Sequence, residues 1–307
     1  MDRYKYGIDF VIVTVGERGA KYTEWCVRSI EKYVKDVDYN VYIVANYQKD
    51  WEKERDILKD TLDHYKNINL VKGYSEEYTL EPSAAGGHEN TGRRIYSKLD
   101  NAPMSYGCYC HAKGMELGIK SGDGKYVCIL DNDSIFLNEW FPIILEKEYD
   151  EKYFFISNRY DPGNLFEIKT DEGDWYTDPM GGVCRPQFLF TKRENFEDNN
   201  LYPNTEYRDT AGNLTLFVQE NKKNIYVLVN SYQDHYEWQQ EVTRDLKFND
   251  QLLRRPHLKE KHLIDVPWGE QAWLEDVPIH FHHAKGTMRD KKRFEKWETE
   301  VEKYLNG

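Results

Sequence analysis

The sequence contains few cysteines and lacks a long hydrophobic run. Its five cysteines are odd in number and include no C-x-x-C pair, so we expect reduced thiols rather than a disulfide framework or a zinc cage. The apolar run over residues 10–15 is too short for the core of a signal peptide or for a membrane span. These absences predict a soluble, cytoplasmic protein with no transmembrane segment.

An excess of positive charge is also missing. The chain has 54 acidic and 42 basic residues, a formal charge of -12, and its aromatic residues are not interleaved with a basic stripe. This balance argues against nucleic acid or an anionic membrane as a partner. The sequence also lacks a supporting G-x-S-x-G or H-E-x-x-H motif, which argues against the esterases and proteases that use them. An anionic ligand would therefore need a metal ion or a local basic patch.

The length and the aromatic content are sufficient for a large core. The 307 residues suit one large α/β domain or two smaller ones. The 24 Tyr, 13 Phe and 8 Trp residues can fill a core and still leave polar-tipped aromatic rings for clefts, where they are suited to stack against bases and sugars.

Hydrophobic periodicity predicts alternating strands and helices of the parallel type. Strands are predicted over residues 8–15, 39–46, 68–71, 125–131, 153–157, 188–190, 225–229 and 277–283. Helices are predicted over residues 22–34, 50–65, 111–120, 138–148, 209–221 and 290–305, and a turn is predicted over residues 16–19. Residues 73–107 are rich in glycine, proline, serine and charge, which is typical of a long functional or disordered loop.

The strand over residues 125–131 is followed by paired carboxylates, in the order Asp131-Asn132-Asp133. A continuous apolar run suits a central strand covered on both faces, and open α/β sheets bind ligands beyond the carboxyl ends of their strands. Two close carboxylates repel each other unless they share a cation, and oxygen ligands favour Mg²⁺ or Mn²⁺. The alternative is an ordinary turn at the strand end, because Asp and Asn are common turn residues.

The order of these features resembles the GT-A glycosyltransferases, most closely the family-two-like group. The matching residues are Asn46 at the end of the second strand, the segment His111-Ala-Lys-Gly, and the Asp-x-Asp (DXD) motif of Asp131 and Asp133. The resemblance covers roughly residues 8–290 and is strongest over residues 107–141. It implies an α/β, GT-A (Rossmann-like) fold with a mixed, mostly parallel sheet flanked by helices.

The resemblance also implies an enzyme of glycan biosynthesis. Such a hexosyl- or pentosyltransferase moves a sugar from a nucleotide-diphosphate sugar to a hydroxyl acceptor, a glycan or other glycoconjugate, and depends on Mn²⁺ or Mg²⁺. We expect residues 1–160 to form the donor-binding half of the domain. Residues 161–307 would form the acceptor-facing half, with a C-terminal metal-binding histidine segment and a helix.

The resemblance assigns roles to individual residues of the donor site. Asp131 and Asp133 are implied to hold the metal ion that bridges the donor diphosphate. Residues 14–17 are implied to lie beside the base and ribose, although the chain lacks the proline that usually follows the first strand. His111 and Lys113 are implied to contact the nucleotide and its phosphates; alternatively, both only solvate the helix surface. The residues implied to bind the donor are Thr14, Val15, Gly16, Glu17, Asn46, His111, Lys113, Asp131, Asn132, Gly182, Lys285 and Arg289.

The C-terminal histidines supply a further element of the resemblance. His283, Gly286 and Arg289 match a late His-x-x-Gly segment with a basic residue three positions further on. This implies that His283 completes the shell of the metal ion and that Lys285 and Arg289 contact the diphosphate. His280 is an alternative ligand, and a structural role for the histidines is the simpler alternative.

Two further positions follow from the same family pattern. Gly182, in the pair Gly181-Gly182, matches a glycine that lets the backbone approach the donor sugar closely, although a plain turn is the alternative. Asp209 matches the catalytic base of inverting members, which deprotonates the acceptor hydroxyl. An N-cap of the helix predicted over residues 209–221 explains Asp209 equally simply, because Asp is among the preferred N-cap residues.

Two rival functions fit part of the sequence. A sugar nucleotidyltransferase uses a related sheet and a glycine-rich first loop, and residues 16–19 give it slight support. The chain lacks the longer glycine and arginine signature of that family. A catalytically silent, carbohydrate-binding protein that retains the GT-A-like fold is the second rival.

Overall fold

The structure is a computed structural model that describes residues 4–47, 50–75, 81–82, 89–90, 95–96, 103–104, 106–158, 160–161, 167–169, 175–177, 183–184, 186–204, 210–232, 263–266, 269–283 and 291–307. Within these residues, strands β1 to β19 are, in order, Lys5–Val15, Tyr39–Tyr47, Ile68–Ser75, Glu81–Pro82, Glu89–Asn90, Ile95–Tyr96, Pro103–Met104, Gly124–Asp131, Ser134–Phe136, Phe155–Ser157, Tyr160–Asp161, Glu167–Lys169, Trp175–Thr177, Val183–Cys184, Phe188–Lys192, Ile225–Val227, Val229–Tyr232, Glu270–Leu274 and Val277–His282. Helices α1 to α8 are Gly16–Tyr33, Trp51–Leu62, Tyr106–Ser121, Phe141–Glu146, Tyr149–Lys152, Arg193–Glu197, Gly212–Glu220 and Lys291–Asn306.

The main sheet has seven strands in the order β16-β10-β15-β8-β1-β2-β3. Strand β15 runs antiparallel to its neighbours β8 and β10, and the other pairings in this sheet are parallel. The sheet is therefore mixed and mostly parallel, and helices cover it. This confirms the fold class predicted from the sequence.

The two faces of the main sheet carry separate hydrophobic clusters. Because side chains alternate along a strand, Phe10 and Ile12 of β1 pack in one cluster with residues of α1. Val11 and Val13 point to the other face and pack with Met115 of α3. Coverage on both faces explains the continuous apolar runs of β1 and β8, and it leaves the carboxyl ends of these strands as the place where polar side chains emerge.

A smaller antiparallel sheet joins the C-terminal part of the chain to the end of β8. Its strand order is β17-β18-β19-β9. Strand β9 begins at Ser134, directly after Asp133, and pairs with β19 so that Ser134 lies opposite His282. On the other side of β19, Glu270 of β18 lies opposite His282. The β18–β19 hairpin is thereby held beside the Asp-Asn-Asp segment that follows the central strand.

Two helices near the end of β8 begin earlier than the sequence predicts. Helix α1 begins at Gly16, directly after β1, so the predicted turn over residues 16–19 is wrong. Helix α3 begins at Tyr106 rather than at residue 111, so His111 lies in its second turn. The first turn of each helix contains a glycine, a residue that has a low helix propensity. Tertiary packing overrides this weak local preference.

Two other predicted elements are interrupted. The single helix predicted over residues 138–148 consists of α4 followed by α5, because Glu148 adopts a left-handed conformation with φ of 55°. The strand predicted over residues 225–229 is divided into β16 and β17, which belong to different sheets.

Among the helices of the described residues, none combines the length and the apolar character that a membrane span requires.

Three described cysteines, Cys26, Cys110 and Cys128, are buried, and none of them forms a disulfide bond within the described residues. Burial raises the pKa of the Cys26 and Cys128 thiols well above the ordinary value. Both thiols therefore stay protonated and behave as small core residues rather than as nucleophiles.

A buried ion pair fastens the start of β8. Arg193 is fully buried and donates to Asp9 Oδ2 at 2.6 Å and to the carbonyl of Gly124 at 2.7 Å. Asp9 is also fully buried and accepts from the backbone N–H of Gly124 at 2.7 Å. The pair lies at the amino end of the strand whose other end carries Asp131.

Replacing Arg193 by leucine is expected to lower the free energy of unfolding by about 3–5 kcal/mol, because it leaves the Asp9 carboxylate buried without its main cation. Urea denaturation followed by circular dichroism measures this loss. A loss below about 1 kcal/mol, as for an exposed ion pair, would contradict the structural role of Arg193.

Candidate metal centre

Three potential ligand atoms meet at the carboxyl edge of the main sheet. Asp131 is the last residue of β8, Asp133 lies in the turn that follows, and His282 is the last residue of β19. One ligand atom from each lies within 4.8 Å of the other two. His282 Nε2 is 3.2 Å from Asp133 Oδ1 and 3.5 Å from Asp131 Oδ2. Two carboxylates and one imidazole in this arrangement form a donor set for a divalent cation.

Strand pairing explains why these residues meet. Asp133 immediately precedes β9, and β9 pairs with β19, so the end of β19 returns to the turn after β8. The backbone N–H of His283 donates to the carbonyl of Asp133 at 3.0 Å and fastens the two segments. Asp133 and His282 are buried, whereas the side chain of Asp131 is 21% exposed. The ligand cluster is therefore built into the framework and opens on the side of Asp131.

The charges around His282 determine its protonation. Burial alone would lower its pKa, but the carboxylates of Asp133, Glu270 and Asp131 outweigh burial and raise the pKa to about 10. At neutral pH the ring is thus an imidazolium ion that balances part of the negative charge. A divalent cation bound to Nε2 has to displace this proton.

Binding of Mn²⁺ at pH 7 is therefore expected to release about one proton per ion. The apparent affinity should rise with pH up to the pKa of His282, about 10, because the cation and the proton compete for the same nitrogen. Calorimetric titration of the chelator-treated protein in two buffers with different ionisation enthalpies measures the proton release. Identical heats in both buffers would contradict the expected competition.

The structure places His282, rather than the predicted ligand His283, beside the two carboxylates. The His283 ring stacks between Tyr22 and Trp297, at centroid distances of 5.7 and 4.7 Å. Successive side chains of an extended segment point to opposite sides, so His282 faces the carboxylates and His283 faces α1 and α8. The His283 ring thereby helps to hold the C-terminal helix on α1.

His280, the alternative ligand, lies outside the cluster. Its ring packs against Phe188 and Phe136 at centroid distances of 5.7 and 6.5 Å. Burial is the main reason that the pKa of His280 is lowered to about 3. His280 is thus a neutral core residue beneath the site.

Of the two α3 residues predicted to contact phosphates, His111 lies at the cluster. Its Nε2 is 3.5 Å from Asp131 Oδ1, and its side chain is 29% exposed. Lys113 instead pairs with Glu116 at 2.7 Å, and this hydrogen bond raises the pKa of Lys113. The structure therefore brings His111 to the opening of the site and ties Lys113 to its own helix.

Thr14 and Asn132, both predicted to contact the nucleotide, are buried and bonded to each other. Thr14 Oγ1 accepts from Asn132 Nδ2 at 3.0 Å and lies 2.9 Å from Thr23 Oγ1. A Cβ atom on Gly19 would lie 2.0 Å from Thr14 Oγ1, so only glycine fits at this point of α1. These contacts fasten the Asp-Asn-Asp turn to the end of β1.

The other predicted nucleotide contacts lie at the same edge of the sheet. Val15 ends β1, and Gly16 and Glu17 form the first turn of α1. Asn46, near the end of β2, is buried, and its Oδ1 accepts from the backbone N–H of Tyr74 at 2.9 Å. This bond ties the ends of β2 and β3 together.

Four predicted site residues lie outside the described residues. They are Gly182, Asp209, Lys285 and Arg289.

Two residues at the site have no role in the sequence interpretation, namely His282 and Glu270. Side chains alternate along the extended segment 280–283, and this alternation is the sequence signal that could have indicated His282. Glu270 is revealed only by the pairing of β18 with β19.

No protein-family model and no curated protein matches this sequence, but solved structures do. The mannosyltransferase PcManGT from Pyrobaculum calidifontis, in complex with GDP-Man and Mn²⁺, is 13% identical with a TM-score of 0.44, and the match covers 73% of this chain and 55% of that chain. S. aureus TarS 1-349, in complex with UDP-GlcNAc, is 12% identical with a TM-score of 0.41 and coverages of 97% and 80%. The galactosyltransferase LgtC, in complex with donor and acceptor sugar analogs, is 11% identical with a TM-score of 0.42 and coverages of 80% and 82%. The chain thus spans about half the length of the mannosyltransferase chain that it matches.

Proposed function

We propose that this protein is a glycosyltransferase that moves a sugar from a nucleotide-diphosphate sugar to a hydroxyl acceptor with the help of Mn²⁺ or Mg²⁺. The observation that carries the proposal is the convergence of Asp131, Asp133 and His282 within 4.8 Å at the carboxyl edge of the sheet. This edge is where open α/β sheets bind their ligands.

The donor set of the cluster fits a divalent cation. Carboxylate oxygens suit both Mg²⁺ and Mn²⁺, and an imidazole nitrogen beside them suits Mn²⁺ better than Mg²⁺. Three carboxylates, those of Asp131, Asp133 and Glu270, surround the His282 ring. Such a concentration of negative charge in a buried place is costly unless cations offset it.

The opening of the cluster suits a diphosphate. Asp131 and His111 are the more exposed members of the site. Helix α1 begins directly after β1 at the same edge of the sheet. Backbone N–H groups at a helix N-terminus attract phosphate groups, and His111 offers a further donor. A nucleotide-diphosphate sugar bound here would meet the ligand cluster through its phosphates.

The proposed reaction joins the acceptor oxygen to the anomeric carbon of the sugar while the bond from that carbon to the diphosphate oxygen breaks. The cation, held by Asp131, Asp133 and His282, would neutralise the charge that develops on the departing nucleoside diphosphate. We propose that Asp209 takes the proton of the acceptor hydroxyl, as a general base within hydrogen-bond reach of it.

The remaining roles are proposals from the family resemblance. Lys285 and Arg289 would contact the diphosphate, and Gly182 would allow the donor sugar to approach the backbone closely. Residues 14–17 and Asn46 would line the pocket for the base and ribose. Residues 1–160 would accordingly form the donor half of the domain and residues 161–307 the acceptor half, so that the transferred hexose or pentose passes between them.

A panel of nucleotide-sugars, incubated with the full-length protein and Mn²⁺ or Mg²⁺, tests the proposal. We expect release of nucleoside diphosphate from at least one donor, with loss of this activity when EDTA removes the metal. Formation of pyrophosphate from a nucleoside triphosphate and a sugar phosphate would support a nucleotidyltransferase instead. A failure to bind any nucleoside diphosphate in the presence of Mn²⁺ would support a catalytically silent carbohydrate-binding protein.

A further inference from the structure

Glu270 is a fully buried carboxylate on an inner strand of the small sheet. It is the first residue of β18 and lies directly opposite His282 in the antiparallel pairing with β19. Residues opposite each other in antiparallel strands place their side chains on the same face. Glu270 therefore reaches the site from the side of the His282 ring that faces away from β9.

The two nitrogens of the His282 ring face different carboxylates. Nδ1 lies 3.7 Å from Glu270 Oε2, an ion-pair distance rather than a hydrogen bond. Nε2 lies 3.2 Å from Asp133 Oδ1 and 3.5 Å from Asp131 Oδ2. The ring is thus held between one carboxylate on the Nδ1 side and the two candidate ligand carboxylates on the Nε2 side.

We propose that Glu270 is a positioning residue that keeps the proton of His282 on Nδ1 and presents Nε2 to the cation. This inference rests on the proposed metal site. A neutral imidazole carries one proton, and the nitrogen without it is the one that binds a metal ion. A carboxylate beside the other nitrogen fixes the tautomer and the orientation of the ring and increases its strength as a ligand.

The placement of Glu270 is difficult to explain by packing alone. A buried carboxylate is costly, and an apolar side chain of similar size would fill the same place without that cost. If Glu270 only balances the charge of His282, metal affinity should depend little on the length and geometry of the side chain at position 270. If Glu270 positions the ring, metal affinity should depend on both the length and the geometry of that side chain.

The test compares Glu270→Leu, Glu270→Gln and Glu270→Asp in the full-length protein. Glu270→Leu removes the carboxylate that lies 3.7 Å from Nδ1 and is expected to weaken Mn²⁺ binding about 10- to 100-fold. Glu270→Gln retains a polar side-chain oxygen at the same reach and is expected to recover part of this loss. Glu270→Asp keeps the charge but withdraws it by one methylene group, so it is expected to bind Mn²⁺ more weakly than the wild type.

Electron paramagnetic resonance of free Mn²⁺ measures the affinity, and thermal unfolding monitors the fold. Because the lost group orients a nitrogen ligand, Mn²⁺ affinity should fall more than Mg²⁺ affinity, a difference that general destabilisation does not produce. Glu275→Gln is the matched control: Glu275 lies in the turn of the same hairpin, where its carboxylate accepts from the hydroxyls of Tyr149 and Tyr226. It should bind Mn²⁺ as the wild type does.

Wild-type Mn²⁺ affinity in folded Glu270→Leu, or in Glu270→Asp where the leucine variant does not fold, would overturn the role of Glu270. That result would leave the metal site itself intact. If instead the wild type binds no Mn²⁺, or if His282→Gln binds it as tightly as the wild type, the proposed metal site fails, and the role of Glu270 fails with it.

Discussion

Replacing Asp133 by asparagine is expected to reduce metal-dependent sugar transfer by at least about 100-fold, because metal assistance supplies several kcal/mol in the transition state and each 1.4 kcal/mol corresponds to a factor of ten. The substitution is nearly isosteric and removes one of the two Asp carboxylates in the ligand cluster. The fold should persist. Nucleoside diphosphate release under saturating Mn²⁺, compared with the wild type, measures the effect.

The control for this variant is Asp123→Asn. Asp123 directly precedes β8, at the opposite end of the same strand, and its exposed side chain pairs with Lys5. Transfer activity should stay near the wild-type level in this control. Full metal-dependent activity in a folded Asp133→Asn protein would show that the Asp-x-Asp segment is an ordinary turn.

The second large effect is expected from His282 rather than from His283. His282→Gln should weaken Mn²⁺ binding at least about 100-fold, more than the loss typical of residues that only support a ligand. His283→Phe keeps a ring between Tyr22 and Trp297 and should leave Mn²⁺ binding nearly unchanged. Titration of each variant with Mn²⁺, in the presence and absence of a nucleoside diphosphate, measures both affinities.

The opposite pattern would restore the sequence-based assignment. If His283→Phe loses Mn²⁺ affinity while His282→Gln retains it, His283 is the ligand and His282 is not. Thermal unfolding separates this outcome from a loss of structure, because His283 contributes to the contact of α8 with α1.

The fold class and the carboxylate pair could be predicted because their signals are local. An apolar strand followed by Asp131-Asn132-Asp133 occupies a few consecutive residues, and its continuous hydrophobicity already indicates a strand covered on both faces. The alternation of strands and helices then indicates a mostly parallel sheet. Neither conclusion needs knowledge of which distant residues come together.

The histidine ligand could not be fixed in the same way. Three of the four residues at positions 280–283 are histidines, and a shift of one residue in strand register turns every side chain to the other face. The pairing of β19 with β9 is what brings His282 beside the two carboxylates. The same reasoning applies to Glu270, whose relation to His282 depends on the pairing of β18 with β19.

The predicted nucleotide contacts illustrate a different limit of local patterns. Thr14, Asn46 and Asn132 do lie at the carboxyl edge of the sheet, as expected from their positions after strands. Thr14 and Asn132 are nevertheless bonded to each other across 118 positions of sequence, and Asn46 holds the backbone of Tyr74. These framework contacts depend on partners that are distant in sequence, so the local pattern after each strand does not reveal them.

The most direct measurement is the position of a bound Mn²⁺ ion in crystals of the protein, located by anomalous scattering. We expect a peak bounded by Asp131, Asp133 and His282, with the diphosphate of an added nucleotide on the side of His111. A peak coordinated by other residues, or none at this cluster under saturating Mn²⁺, would contradict the proposed metal centre and the function built on it.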